Sequence, residues 1–130
     1  MSRYASHRIL AGVLTLFFVA AGVNHFRSID FYASIVPRFL PYPYALVIIS
    51  GVAEVVLGVL LLPHQTRRLA GWGLVALLVA VFPANISMAM QAENYPDYPP
   101  VLLWLRLPLQ IVLIAVVVWV IPVAHSSRKI

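Results

Sequence analysis

Four long apolar runs, residues 9–26, 44–62, 69–90 and 101–121, divide the chain, and each ends in a polar or proline-bearing stretch. Every run has about 18 to 22 residues, and at 1.5 Å of rise per residue that suits a helix crossing a hydrocarbon core of about 30 Å. Between the first two runs, Phe31, Tyr32, Ile35, Val36, Phe39 and Leu40 recur at helix-like intervals until Pro41 and Pro43 stop the pattern. This stretch, 27–43, predicts a short interfacial helix whose aromatics anchor it at headgroup depth. Pro63 and the polar turn His64-Gln65-Thr66-Arg67-Arg68 join the second run to the third, and so short a turn implies that neighbouring helices pack antiparallel. The expected fold is all-α: a four-transmembrane-helix antiparallel bundle with a short interfacial helix in the first outer loop, one membrane domain over 1–130.

Composition strengthens the membrane reading. Of 130 residues 62% are hydrophobic and 10% charged, and mean hydropathy is +0.94, outside the range of soluble domains. Arg3 and Arg8 before the first run give it the basic flank of a signal peptide, but three further runs favour a first transmembrane helix. The net charge of +5 does not point to nucleic acid, because the basic residues sit at run ends and form no face interleaved with aromatics. They act instead as topology signals. Arg3, Arg8, Arg67, Arg68, Arg128 and Lys129 fall on one side and only Arg27 and Arg38 on the other, while the loop 91–100 carries Glu93 and Asp97 without a cation. The positive-inside rule then predicts cytoplasmic N- and C-termini in a multi-pass protein.

Against that apolar background the polar residues inside the runs stand out. Arg106 interrupts the last run, and a guanidinium on a lipid-facing helix costs roughly 2.5 to 3.5 kcal/mol by insertion scales, so it needs a partner. Counting from the outer end of each run at 1.5 Å per residue puts Glu54 at about 15 Å, Gln110 at about 14 Å, and Asn85 and Arg106 at about 8 Å. Asn24 and His25 lie at the outer end of the first run. The expectation is one internal site in the outer half of the bundle, with Glu54 and Arg106 facing each other, lined by Asn85, Gln110 and His25 and open to the outside. Pro83 and Pro108 each free a carbonyl one turn earlier and are expected to kink their helices beside this layer. A purely structural reading has Glu54 and Arg106 neutralise each other and fix the register of the bundle.

Several chemistries drop out. The chain has no cysteine, hence no disulfide, dithiol exchange or thiolate metal site. His25 has no second intramembrane histidine for a haem, no metal centre is expected, and no nucleotide-binding motif occurs. Transport is disfavoured by a narrow four-span bundle without a readable inverted repeat.

The runs Asn24-His25-Phe26, Ile35-Val36-Pro37-Arg38-Phe39-Leu40-Pro41, Gly51-Val52-Ala53-Glu54 with Gly58, Phe82-Pro83-Ala84-Asn85-Ile86 and Arg106-Leu107-Pro108-Leu109-Gln110 occur in that order. Together they resemble the DoxX-like family of small four-helix integral membrane proteins over residues 9–121. The resemblance implies a bacterial inner membrane. It also brings in a redox setting, since the family name comes from a subunit associated with thiosulfate:quinone oxidoreductase, whereas more distant relatives act as membrane chaperones or cargo receptors. Its motif positions coincide with those selected by depth. The functional expectation is a small-molecule or quinone-binding accessory subunit of a membrane redox assembly, with Arg106 and Gln110 as hydrogen-bond donors and Glu54, with His25, handling a proton. No electron carrier is readable, so electrons would come from a redox partner subunit and the chain would not be a self-sufficient enzyme; a homodimer is the other association considered. The alternative is a structural or chaperone-like membrane protein.

Overall fold

A computed structural model describes residues 2–122, apart from the side chains of Arg3 and Tyr4. The tail carrying Arg128 and Lys129, used in the topology count, lies outside the described residues. Five α-helices follow one another: α1 (Arg3–Arg27), α2 (Ile29–Ile35), α3 (Pro43–Leu60), α4 (His64–Met90) and α5 (Pro100–Val120), with a single 3-10 turn at Ala92–Asn94 between the last two. No strand occurs among the described residues. Helices α1, α3, α4 and α5 are each long and apolar enough to cross a membrane.

The helix ends follow local chemistry. α1 starts well before its apolar run because the Ser2 hydroxyl accepts from the Ala5 N–H at 3.1 Å, an N-cap that lets polar residues form the first turn. α2 is shorter than expected. It stops at Ile35, with Val36 extended at φ −64°, ψ 129°, because a residue preceding proline, here Pro37, is pushed out of the helical region. Phe39, Leu40 and Tyr42 therefore stand exposed on a non-helical connection and not on a helix face. Tyr42 itself, 77% exposed, adopts a left-handed φ of 56°, a strain of about 1 to 3 kcal/mol for a non-glycine residue, directly before Pro43 opens α3.

The polar turn expected over 63–68 is also corrected. α4 begins at His64, so Thr66, Arg67 and Arg68 lie in its first turns and only residues 61–63 link α3 to α4. Such a tight link leaves the last carbonyls of α3 without helical partners, and the side chains of α4 supply them. Thr66 Oγ1 donates to the Leu60 carbonyl at 2.6 Å, while Arg67 donates from Nε to Leu61 at 2.8 Å and from Nη2 to Leu62 at 2.7 Å.

The four long helices form a ring in the order α1, α3, α4, α5, in which the diagonals α1–α4 and α3–α5 meet little or not at all among the described residues. Thr15 and Phe18 meet Gly58, Gly22 meets Gly51 and Val55, and His25 meets Val47, so residue numbers rise along α1 as they fall along α3. α1 and α3 touch backbone to backbone here. A Cβ on Gly22 would lie 2.7 Å from the Gly51 carbonyl oxygen, which only glycine allows. The Thr15 hydroxyl, buried, lies 2.7 Å from the Gly58 carbonyl and 2.9 Å from the Ala11 carbonyl of its own helix, tying the pair with a polar contact.

Packing differs between the two ends of the ring. Towards the Arg67 end, Leu14, Phe18, Leu61, Ala70, Leu74, Leu78, Val117 and Val120 make a dry core. Towards the other end, called here the α2 end, a smaller cluster of Ile35, Met88, Ala89 and Leu103 is closed by Phe31, Tyr32 and Tyr95. Leu16, Ile49, Leu69 and Leu109 point outward, as lipid-facing positions should.

Candidate functional site

The polar residues of the runs fall in two groups and not one. The first lies between α1 and α3. His25 Nε2 is 2.9 Å from Glu54 Oε2, with each side chain 12% exposed. The backbone explains the approach. Gly51 sits against the Cβ of His25, Glu54 is one turn further from the start of α3, and helical side chains lean towards the N-terminus, so the carboxylate reaches back to the imidazole.

The other ring nitrogen is held as well. His25 Nδ1 lies 3.3 Å from the Val47 carbonyl and 3.2 Å from Ser50 Oγ, and the Ser50 hydroxyl donates to the same carbonyl at 3.0 Å. Nδ1 donates to this carbonyl in one ring tautomer and accepts from the Ser50 hydroxyl in the other. In either, the 2.9 Å contact is favourable only with a proton between Nε2 and Oε2. Glu54 Oε2 is enclosed, and His25 is its partner among the described residues.

α2 covers this pair. The Tyr32 ring stacks on His25 with centroids 4.3 Å apart, and Asn24 Nδ2 donates to the Tyr32 hydroxyl at 2.8 Å. Tyr44 in turn donates to Asp30 at 2.7 Å, holding α2 to the start of α3. Of the sequence-predicted residues, the structure thus brings together His25 and Glu54, with Asn24 one step away through Tyr32.

The second group lies between α4 and α5. Asn85 Nδ2 donates to Gln110 Oε1, and Gln110 Nε2 donates to the Leu78 carbonyl. Leu78 adjoins Val79, whose carbonyl has no N–H to meet at Pro83, so the amide docks beside the helical hydrogen bond that proline removes. α4 and α5 both run through Pro83 and Pro108 as continuous helices. Asn85 and Gln110 largely satisfy each other and act as an interhelical tie.

Arg106 does not meet Glu54. Its Nη1 lies 3.5 Å from the Met88 sulfur, a weak acceptor, and among the described residues that is its partner. The reason is azimuth. α3 and α5 stand on a diagonal of the ring, so matching depths along two helices do not bring their side chains together. A cleft at the α2 end is lined by Ser34, Arg38, Ser87, Gln91, Asn94 and Tyr95, and by none of the five residues expected to line an outer site.

Sequence reasoning missed Ser50, Tyr32, Thr15 and Arg67. Ser50 was findable, since it lies four residues before Glu54 and shares its helix face. Tyr32 and Arg67 were not, because their partners are set by how α2 and the α3–α4 link fold back. No group of three or more metal-binding side chains occurs among the described residues.

Four membrane-crossing helices with ionisable and amide groups held between them define a multi-pass integral membrane protein. The chain belongs to a family described as a domain of unknown function (DUF8561), whose model matches residues 14–121 and so takes in most of α1 and all of the other helices. No curated protein and no solved structure matches the chain.

Proposed function

We propose that the chain is a small-molecule-binding accessory subunit of a membrane redox assembly, in which the His25–Glu54 pair exchanges a proton with an oxygen of a quinone-class ligand. The observation that carries this reading is the proton required between Nε2 and Oε2 at 2.9 Å, inside the membrane-crossing part of the protein. Nδ1 is engaged by Val47 and Ser50, so exchange is confined to the Nε2 side. Each quinone oxygen that is reduced takes one electron and one proton. The pair supplies the proton and is one unit more negative until it is protonated again; a partner subunit supplies the electron. Arg106 is the anchoring group, because Asn85 and Gln110 are engaged with one another while its guanidinium keeps N–H donors to spare. The motif resemblance to DoxX-like proteins supports the ligand class and a bacterial inner membrane.

The test compares wild type with Glu54→Gln and Arg106→Gln after mild extraction from quinone-rich membranes, measuring co-purified quinone by mass spectrometry and heat resistance side by side. Wild type should carry quinone, and both variants should lose it while melting close to wild type. Wild type free of quinone, or variants that retain it, would overturn the reading. A Glu54→Gln protein that fails to fold while Arg106→Gln stays folded and quinone-loaded would leave the structural role, with His25–Glu54 locking α1 to α3.

A further inference from the structure

At the α2 end, apart from the His25–Glu54 pair, the α2–α3 connection, the last turn of α4 and the 3-10 turn enclose a half-open cleft of about 240 Å³. Its lining is built from donors. Asn94 Nδ2 donates to Gln91 Oε1 at 3.3 Å and Gln91 Nε2 donates to Ser87 Oγ at 3.1 Å, which uses acceptors inside the chain and leaves the Ser87 hydrogen and the second hydrogen of each amide. Tyr95 is turned away to the Ser34 carbonyl at 3.3 Å. The Asn94 Oδ1 and the oxygens of the Ser34 and Tyr95 hydroxyls, whose hydrogens go to the Phe31 and Ser34 carbonyls, are the side-chain acceptors of the lining.

Arg38 supplies the charge. Its guanidinium is exposed and meets no carboxylate or carbonyl among the described residues. No acid lines the cleft: Glu93 is exposed and outside the lining, and Asp30 is occupied by Tyr44. One guanidinium, a hydroxyl and two amide N–H groups around a small space, without a carboxylate, suit an oxyanion, phosphate among them, for which arginine offers a two-pronged match. Size narrows the choice, since the volume falls below the roughly 300 to 1,000 Å³ of drug-sized ligand sites and suits a headgroup-sized anion. Exposed Phe39, Leu40, Tyr42 and Tyr44 flank Arg38 in the manner of an interfacial belt, at the depth where lipid phosphates lie.

We propose that this cleft binds a phosphate group, either the phosphodiester of a phospholipid headgroup or free phosphate. Full-length protein in mild detergent is offered phosphatidylglycerol or a neutral glucosyl diacylglycerol with the same acyl chains, and retained lipid is read by native mass spectrometry. Inorganic phosphate is titrated separately by calorimetry. Wild type retains the phospholipid over the neutral lipid, and Arg38→Gln lowers that retention about tenfold, the loss of a charge-assisted contact. Ser87→Ala lowers it several-fold, and Arg27→Gln, an exposed cation outside the cleft, leaves it unchanged. Arg38-dependent retention of phospholipid without binding of inorganic phosphate identifies the headgroup as the source; Arg38-dependent binding of inorganic phosphate without lipid preference identifies the free ion. The proposal falls if neither ligand depends on Arg38, or if Arg27→Gln weakens binding as much as Arg38→Gln.

Discussion

Arg67 and Arg106 are the same residue type inside the same helical body, yet their surroundings differ in a way that separates structure from function. Arg67 is 4% exposed and sits in the first turns of α4, where it donates to the Leu61 and Leu62 carbonyls. Those carbonyls close α3, lack helical partners and carry the negative end of its dipole, so a cation there is both satisfied and favoured. Arg106 lies about two turns into α5, and its partner is a thioether sulfur. Helix ends offer a buried cation open carbonyls, whereas Arg106 meets a thioether among the described residues. A guanidinium held in mid-helix with donors to spare is available to something other than the fold.

Three substitutions test that contrast. The largest effect is expected for Arg67→Met, which removes two charge-assisted hydrogen bonds worth about 1.5 to 3 kcal/mol each and strands two carbonyls, so unfolding in mixed detergent micelles should show a loss of about 3 kcal/mol or more. A loss below about 1 kcal/mol would dissolve the distinction between the two arginines. Next comes Gln110→Leu, which cuts the α4–α5 tie to Asn85 and Leu78 and should cost roughly 0.6 to 1.7 kcal/mol in the same assay, the range for interhelical hydrogen bonds in membranes. Smallest is Arg106→Met, expected within about 1 kcal/mol of wild type and of either sign, because it removes a weakly partnered charge and supplies an apolar side chain of similar length. Were Arg106→Met to destabilise the protein as much as Arg67→Met, Arg106 would be a structural residue too.

The same distinction explains which parts of the molecule could be read in advance. Hydrophobic runs located all four crossing helices, because hydrocarbon demands about 20 apolar residues whatever the neighbours are. They misplaced ends that lie outside hydrocarbon. α1 starts early because of the Ser2 cap, α2 stops early because of Pro37, and α4 absorbs a stretch that reads as a polar turn because Thr66 and Arg67 turn back to cap α3. In each case a side-chain hydrogen bond or a proline set the boundary, and average hydropathy carries no record of either.

The candidate site follows the same rule. Distance along a helix is legible in sequence, and it assigned His25, Glu54, Asn85, Arg106 and Gln110 an expected depth each. Rotation about the helix axis and the order of helices around the ring are not legible, and these two decide partners. Glu54 finds His25 because Gly22 and Gly51 let α1 and α3 touch, whereas Arg106, on the helix diagonal to α3, meets Met88.

What the sequence determined by itself is therefore an all-helical, membrane-crossing chain without thiol chemistry and with ionisable groups at known depth, since these follow from solvent and rise per residue alone. The tertiary structure decided that the charge partner of Glu54 is a histidine, that Arg67 is a helix cap, and that Arg106 keeps most of its donors. Partner choice depends on approach within about 3 Å, and only the packing of one helix against another sets distances that short.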